Sequence, residues 1–255
     1  MLHQALALKN FNIEATDGSI GEVFDFFFDD KSWTIRYLVI DTMKWLPGRK
    51  VLFSPIEFDE VDLLNQKVSV FASKDKIKNS PDVYEHRPVS REHEIALSDY
   101  YGWSYYWTGT QIWGNHIIPY DLKKTTRSEN ELLKEKEGEQ NHMRSVKEIT
   151  GVFSGYRIHA RNGEIGHVSD MIIDDETWEI RYIIVDTNNW LPGKKVLVAT
   201  DWITDLNWPD KTVTVDIMKD SIKNAPEYDP TEPLSKQDEE KLYHYYNKAE
   251  YSSQL

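Results

Sequence analysis

Pairs of adjacent carboxylates are the first residues in this chain whose types and spacing could do chemistry. Asp29-Asp30 and Asp174-Asp175 each stand in a polar stretch between two apolar runs. Two carboxylates at one site would hold a metal ion or move a proton. Neighbouring residues in a turn point apart, however, and aspartate commonly stabilises a turn by accepting a hydrogen bond from nearby backbone. The pairs therefore favour turn chemistry over an acid–base or metal site.

Arginine and aspartate recur along the apolar run that follows each pair. Arg36 and Asp41 have counterparts at Arg181 and Asp186. Such residues would contact an anion or a partner if they were exposed. Alternatively, a guanidinium fork would anchor a carboxylate beside the domain. Their presence at both places favours the structural interpretation.

Other catalytic and metal-binding patterns are missing from the sequence. The chain has no cysteine, which excludes disulfides, thiolate zinc sites, iron–sulfur clusters and cysteine nucleophiles. The eight histidines lack the spacing of a zinc protease, and no P-loop, dinucleotide fingerprint or G-x-S-x-G motif occurs. We therefore predict no catalytic residue, no metal ligand, no cofactor and no enzyme activity.

Tryptophans are the strongest candidates for contact with a partner. Trp45 and Trp190 each precede a Leu-Pro-Gly turn, and a loop tryptophan is a common anchor of protein interfaces. Either side chain could equally cover the end of its own domain. A second group, Trp103, Trp107 and Trp113, lies in an aromatic segment at residues 100–120. That segment could stack on bases, hold an apolar ligand or contact a partner, but we favour packing across both domains.

The elements that position these residues occur twice. The stretch from Asp41 to Leu52 returns from Asp186 to Leu197, an offset of 145 residues. About 20 of the 35 positions from Gly18 to Leu52 are identical to their partners, and an ungapped match of this length indicates a duplicated folding unit. We predict one domain at residues 1–101 and another at 145–255. Residues 102–144 between them are first aromatic and then charged.

Each copy is predicted to be a β domain that ends in helices. Asp17-Gly18 and Asn162-Gly163 are hairpin signals, because both turn positions must tolerate positive φ. The runs that follow, 33–40 and 178–185, are apolar on both faces, which is typical of a strand buried on both sides. Ser90 and Ser235 are placed to cap helices. The predicted fold is mainly β, with two tandem small barrels that are each followed by short helices.

This order of elements resembles the PRC-barrel domain. Each copy carries Asp-Asp, then Trp-x-Ile-Arg-Tyr, then Asp-Thr and Trp-Leu-Pro-Gly, in the same order. The domain occurs in the cytoplasmic part of photosynthetic reaction-centre H subunits and in the ribosome-maturation factor RimM, and this chain is similar to stand-alone bacterial tandem forms. The resemblance implies a strongly bent barrel of about six strands per copy. It also implies an interaction or assembly role without common catalytic residues.

Charge and hydropathy narrow the choice of partners. The net charge is −13; residues 1–127 carry 15 Lys+Arg against 18 Asp+Glu, and the remainder 15 against 25. An acidic surface repels phosphate backbones, so we expect no nucleic acid as partner. No run approaches the roughly 20 apolar residues of a membrane span, and the N-terminus lacks the features of a signal peptide. We expect a cytoplasmic protein.

The sequence leaves several functions open. The leading expectation is a non-enzymatic scaffold or assembly protein with an unknown protein partner. A homodimer through strand edges or the aromatic segment is also consistent with the pattern. One alternative is a small-molecule or metal binder that uses a cleft between the domains. Another is an accessory factor of ribosome maturation, by analogy with RimM.

Overall fold

The computed structural model describes residues 1–42, 45–81, 89–125, 142–151, 155–187 and 194–249. Contacts divide the chain into two compact units. The first-repeat unit comprises Leu8–Ser145 and Glu176–Trp178, and the second-repeat unit comprises Met1–Ala7, Val146–Asp175 and Glu179–Leu255. The units thus group short segments out of chain order, and the domain limits predicted from the sequence stay a prediction.

Strands dominate the described residues. In chain order they are β1 (Leu2–Gln4), β2 (Asn12–Ala15), β3 (Gly18–Asp29), β4 (Thr34–Asp41), β5 (Lys50–Phe53), β6 (Phe58–Asp62), β7 (Lys67–Val70), β8 (Met143–Ser145), β9 (Arg157–Ala160), β10 (Gly163–Asp174), β11 (Ile180–Asp186), β12 (Lys195–Ala199), β13 (Ile203–Asn207) and β14 (Thr212–Val215). The helices are short: α1 (Ala5–Leu8), α2 (Lys74–Lys78), α3 (Arg91–Tyr101), α4 (Pro119–Lys123), α5 (Val146–Ile149), α6 (Lys219–Asn224) and α7 (Lys236–Tyr245).

The two units share one strand order. The first-repeat sheet runs β5-β4-β3-β2-β7-β6, with β8 added on β3, and the second runs β12-β11-β10-β9-β14-β13, with β1 added on β10. All pairings are antiparallel except β2 with β7 and β9 with β14. Each unit therefore has a seven-stranded sheet, which confirms the prediction of a mainly β fold built twice.

A short strand that precedes each repeat pairs with the sheet of the other repeat. Strand β8 stands just before the second repeat but lies on β3, whereas β1 stands before the first repeat but lies on β10. Two buried carboxylates fix the chain where these strands lead into a helix. Asp25 accepts a hydrogen bond from Ser145 Oγ at 2.6 Å, and Asp170 accepts one from Leu6 N at 3.2 Å. The strand exchange was not predicted from the sequence.

Two glycines allow close passage of the long central strands. A Cβ atom at Gly21 would overlap the carbonyl oxygen of Asp41, and one at Gly166 would overlap that of Asp186. Both glycines also have positive φ, 154° and 100°, which side-chain-bearing residues rarely adopt. Glycine is therefore required at these two positions, where β3 and β10 pass the end of the neighbouring strand.

The longer helices follow the sheets as predicted. Ser90 Oγ accepts a hydrogen bond from His93 N, and Ser235 forms a capping box with Asp238. Both serines therefore satisfy backbone donors at a helix start. Within the described parts of the chain, no helix combines the length and the apolar character needed to cross a membrane.

The aromatic segment packs into the first-repeat unit. The Trp103 ring stacks on Tyr101 at 4.5 Å, and its Nε1 donates to the buried Glu57 carboxylate at 2.7 Å. In the second repeat, the residue equivalent to Glu57 is Trp202, and its ring centre lies 4.8 Å from that of Tyr246. The tyrosine near the end of the repeat thus has a tryptophan neighbour in both units. This tryptophan belongs to the aromatic segment in the first-repeat unit and to the repeat itself in the second-repeat unit.

Candidate functional site at Trp45

An open cleft of about 470 Å³ lies beside the Trp45 turn in the first-repeat unit. This volume is within the range of natural ligand sites, roughly 300–1,000 Å³. Its lining comes from β2, β3, the end of β4, the turn after β4 and the start of α2. We call it the Trp45 cleft, and its residues are Asn10, Asn12, Ser19, Ile20, Gly21, Glu22, Val23, Phe24, Asp41, Trp45 and Lys74.

Hydrogen bonds of the D-T-x-x-W-L turn hold Trp45 in place. The carbonyl oxygen of Thr42 accepts bonds from Trp45 N and Leu46 N, both at 2.8 Å. The Thr42 side chain is buried and donates to Leu46 O at 3.1 Å. The turn is therefore tied to the end of β4, which keeps the half-buried indole at the cleft wall.

Lys74 lies against the same indole. Its Nζ is 5.2 Å from the centre of the Trp45 ring, within the range of a cation–π contact. The position of Lys74 is fixed because its backbone N–H donates to Asp17 Oδ1 at 2.7 Å and Ser73 caps α2. The cleft thus joins an aromatic surface to a positive charge.

A row of polar residues crosses the sheet at the cleft. Asn12 on β2 faces Glu22 on β3, Glu22 faces Asp41 on β4, and Asp41 faces Lys50 on β5. The antiparallel pairing of the consecutive strands β3 and β4 thereby places two carboxylate-bearing residues opposite each other. The Lys50 ammonium lies 3.6 Å from the centre of the Phe24 ring. The row combines carboxylate acceptors with amide and ammonium donors.

The groups that line the cleft are of kinds that make non-covalent contacts. An indole supplies apolar contact area, while the amide, carboxylate and ammonium groups supply orientation. In the described parts of the chain, no group of three or more His, Asp and Glu residues is arranged to hold a metal ion.

The other predicted contact residues differ in exposure. Trp103 and Trp113 are buried, and Trp113 Nε1 donates to Thr177 O at 2.8 Å. Trp107 is half-buried, with Tyr105 at 4.7 Å and Arg91 at 4.0 Å from its ring. Trp190 lies outside the described residues. Burial favours a packing role for Trp103 and Trp113, and a partner role stays a prediction for all five tryptophans.

The adjacent aspartates are used in turns and for holding the exchanged strands. Asp29 accepts a bond from Lys31 N at 2.9 Å, the expected turn contact. Asp30 accepts one from His142 at 3.1 Å and pairs with Arg144 at 2.6 Å. Asp175 likewise binds the His3 side chain, which lies on β1, at 2.8 Å. Each pair therefore supports the local fold of its unit.

The strand arginines form ion pairs with nearby carboxylates. Arg36 Nη2 lies 3.7 Å from Asp29, and Arg181 forms ion pairs with Asp174 at 3.6 Å and Glu239 at 2.9 Å. Each arginine thus pairs with a carboxylate of its own unit. Arg36 and Asp41 lie five residues apart on one strand and so point to opposite faces.

A buried carboxyl cluster lies elsewhere in the first-repeat unit. Glu94 accepts hydrogen bonds from Tyr106 Oη at 2.7 Å and Tyr37 Oη at 3.2 Å, and it pairs with Arg91 at 3.0 Å. Arg36 lies 3.8 Å from the centre of the Tyr106 ring. Burial raises the pKa of Glu94 to about 7, against the opposing effect of Arg91. This cluster binds α3 to β4 and is separate from the Trp45 cleft.

Sequence reasoning missed Asn12, Glu22 and Lys74 as cleft residues. A signal existed for Lys74, since a lysine recurs at Lys219 in the second repeat. No such signal existed for the other two, whose counterparts are Arg157 and His167. Their closeness to Trp45 arises from strand register, which periodicity does not reveal.

Comparison with known proteins gives one match. Residues 155–222 match the family model described as the PRC-barrel domain. A search of curated proteins found no match. The matched residues span β9 to most of α6, and the first repeat folds with the same strand order. The second repeat thus contains a stretch, residues 155–222, that is similar to the PRC-barrel domain.

Proposed function

We propose that this protein is a non-enzymatic interaction protein that holds a segment of a partner protein in the Trp45 cleft. The observation that carries the proposal is a half-buried tryptophan, fixed on a hydrogen-bonded turn, in the wall of an open cleft with polar lining. Tryptophan is enriched among the residues that dominate binding energy at interfaces. We also expect a cytoplasmic location and no catalytic turnover.

The shape and chemistry of the cleft favour a peptide segment as ligand. Asn10, Asn12 and Ser19 carry side chains able to donate and accept hydrogen bonds, as the polar groups of a peptide backbone require. Trp45 and Phe24 offer apolar surface to its side chains. A fixed turn also reduces the entropy lost on binding, because the indole does not have to be ordered by the ligand.

Affinity capture with the full chain tests this proposal. We compare proteins retained from a native lysate by the unchanged protein, by Trp45→Ala and by Leu64→Ala. Leu64 is the matched control because it is 96% exposed, apolar and outside the cleft. We expect one partner to be lost with Trp45→Ala and kept with Leu64→Ala.

The outcome also separates the two repeats. A partner that Trp190→Ala removes as well engages both repeats, and tethering then raises the effective concentration for the second contact. An identical set of captured proteins for Trp45→Ala and the unchanged protein would refute the role of the cleft.

A small-molecule ligand is the second candidate, favoured by the cleft volume of about 470 Å³. Ultrafiltration of the lysate, which removes proteins and keeps small molecules, distinguishes the two candidates. A small ligand in a protein-free lysate filtrate would raise the melting temperature of the unchanged protein but not that of Trp45→Ala, because only the form that binds it is stabilised. A partner protein would be absent from that filtrate.

A further inference from the structure

A second groove lies in the second-repeat unit, between the segment that follows α6 and helix α7. It encloses about 280 Å³. We call it the Leu234 groove, and its residues are Leu197, Pro226, Glu227, Tyr228, Asp229, Glu232, Pro233, Leu234, Asp238, Lys241 and Leu242. It is distinct from the Trp45 cleft, with which it shares no residue.

The groove combines an apolar floor with an acidic rim. Leu197 and Leu242 are buried and Leu234 is half-buried, so the floor offers contact to one aliphatic side chain. Glu227 and Glu232 are exposed at the edge. This pairing of features calls for a ligand that is both apolar and positively charged.

The charge of the groove remains negative after its internal contacts are counted. Asp229 accepts a bond from Thr231 N at 2.8 Å, and Asp238 is held by Ser235 and by Lys241 at 3.2 Å. Lys241 is the one cation among the lining residues, against four carboxylates. The residues of the second-repeat unit include 12 Lys+Arg against 19 Asp+Glu, so the charge of the unit reinforces the attraction of cations.

The outer wall of the groove is fixed before any ligand binds. Pro226, Pro230 and Pro233 restrict the backbone of this segment. Tyr228 N donates to Lys195 O at 2.8 Å, and Gln4 Nε2 donates to Pro230 O at 2.9 Å. The bond from Tyr228 also pairs one backbone carbonyl of β12, the strand at one end of the sheet. A wall held in this way lowers the ordering cost of binding.

We infer that the Leu234 groove docks an extended basic segment of a partner protein. One aliphatic side chain of that segment packs against Leu197, Leu234 and Leu242. Lysine or arginine side chains on either side of it meet Glu227 and Glu232. This inference does not depend on the Trp45 cleft, which lies in the other unit.

Fluorescence anisotropy with labelled peptides and the full chain tests the inference. The probe is fluoresceinyl-Lys-Lys-Leu-Lys-Lys, and two control peptides replace the leucine by serine or every lysine by glutamate. We expect saturable binding of the probe, at least tenfold weaker binding of the serine peptide and no binding of the glutamate peptide. The affinity for the probe should also fall as the salt concentration rises, because salt screens the attraction between exposed charges.

Matched variants separate the groove from general acidity. Glu227→Gln with Glu232→Gln should weaken probe binding at least fivefold. Asp205→Asn with Glu240→Gln makes the same change of charge at two exposed positions outside the groove and should leave binding within twofold. Leu234→Ser should lower affinity for the leucine probe and not for the serine peptide. Far-ultraviolet circular dichroism checks that all variants are folded.

Two results would overturn the inference. One is the absence of saturable binding by the unchanged protein. The other is an equal loss of affinity in both double carboxylate variants, which would show attraction to the whole acidic surface. Neither result bears on the Trp45 cleft, which the capture experiment tests separately.

Discussion

Glu22 on β3 lies directly opposite Asp41 on β4, so two carboxylates meet in register in the wall of the Trp45 cleft. Like charges that face each other across strands destabilise a sheet. The fold does not need this pair, because the second repeat has His167 opposite Asp186 at the same place. We interpret the paired carboxylates as a property of the proposed binding surface rather than of the fold.

Replacing Glu22 should therefore stabilise the protein. Glu22→Gln removes the facing charge and should raise the free energy of unfolding in urea by about 0.5 kcal/mol. Glu60→Gln is the control, since Glu60 is exposed on β6 and faces Ser69, and it should change stability little. A loss of stability in Glu22→Gln would show that the carboxylate makes a favourable contact in the fold.

Stability should depend on pH through Glu94. Burial raises the pKa of Glu94 to about 7 from an ordinary value of 4.5, so the folded protein binds more protons than the unfolded chain between these values. The contribution of Glu94 to stability should consequently fall as pH rises from about 4.5 to 7 and stay constant above it. Arg36, Arg91, Tyr37 and Tyr106 face this carboxyl.

Glu94→Gln should remove this dependence. The free energy of unfolding of the variant, relative to the unchanged protein, should rise by about 3 kcal/mol between pH 4.5 and pH 8. Urea titrations at a series of pH values measure it. A difference between the two proteins that is the same at every pH would show that Glu94 has an ordinary pKa.

The indole N–H of Trp103 should contribute strongly to stability. Trp103→Phe keeps the stacking on Tyr101 but deprives the buried Glu57 of a donor and leaves it the contact with Lys123 at 3.1 Å. We expect a loss of about 2 kcal/mol in the free energy of unfolding. Trp107→Phe, at a half-buried position, should cost less than half as much. Equal losses would argue against the hydrogen bond as the cause.

The first Gly-x-Ile-Gly stretch should contain one replaceable and one irreplaceable glycine. Gly18 has positive φ but open space around its Cα, so Gly18→Ala should cost about 1 kcal/mol. A methyl group at Gly21 would overlap the backbone of Asp41, and Gly21→Ala should cost about 3 kcal/mol or more. Thermal unfolding of both variants measures the order. Equal losses of stability in the two variants would mean that positive φ, and not overlap with the Asp41 backbone, determines the cost.

Much of the fold could be predicted because its signals are local and repeated. The Asp-Gly and Asn-Gly turns, the apolar runs before Asp41 and Asp186, and the capping serines act on residues close in sequence. Strands β1 and β8 could not be predicted in the same way. They are three residues long, and the partner strand of each lies in the other repeat.

The candidate site could be predicted only in part. Trp45 stands in a repeated turn motif, so its position was apparent from the sequence. Asn12 and Glu22 come into the cleft through strand register and differ between the repeats. The aromatic segment is predicted to pack across both domains, and this stays a prediction. Trp103 and Trp113 are buried within the first-repeat unit, but the hydrogen bond from Trp103 to Glu57 depends on a residue 46 positions earlier.

Site-specific photocrosslinking tests the central claim most directly. The photoreactive residue p-benzoylphenylalanine is placed at position 45 or, as control, at position 64, and the full chain is irradiated in native lysate. The Trp45 cleft predicts a covalent adduct with a partner protein from position 45 and none from position 64. No adduct from position 45, or the same adduct from both positions, would contradict binding in the cleft.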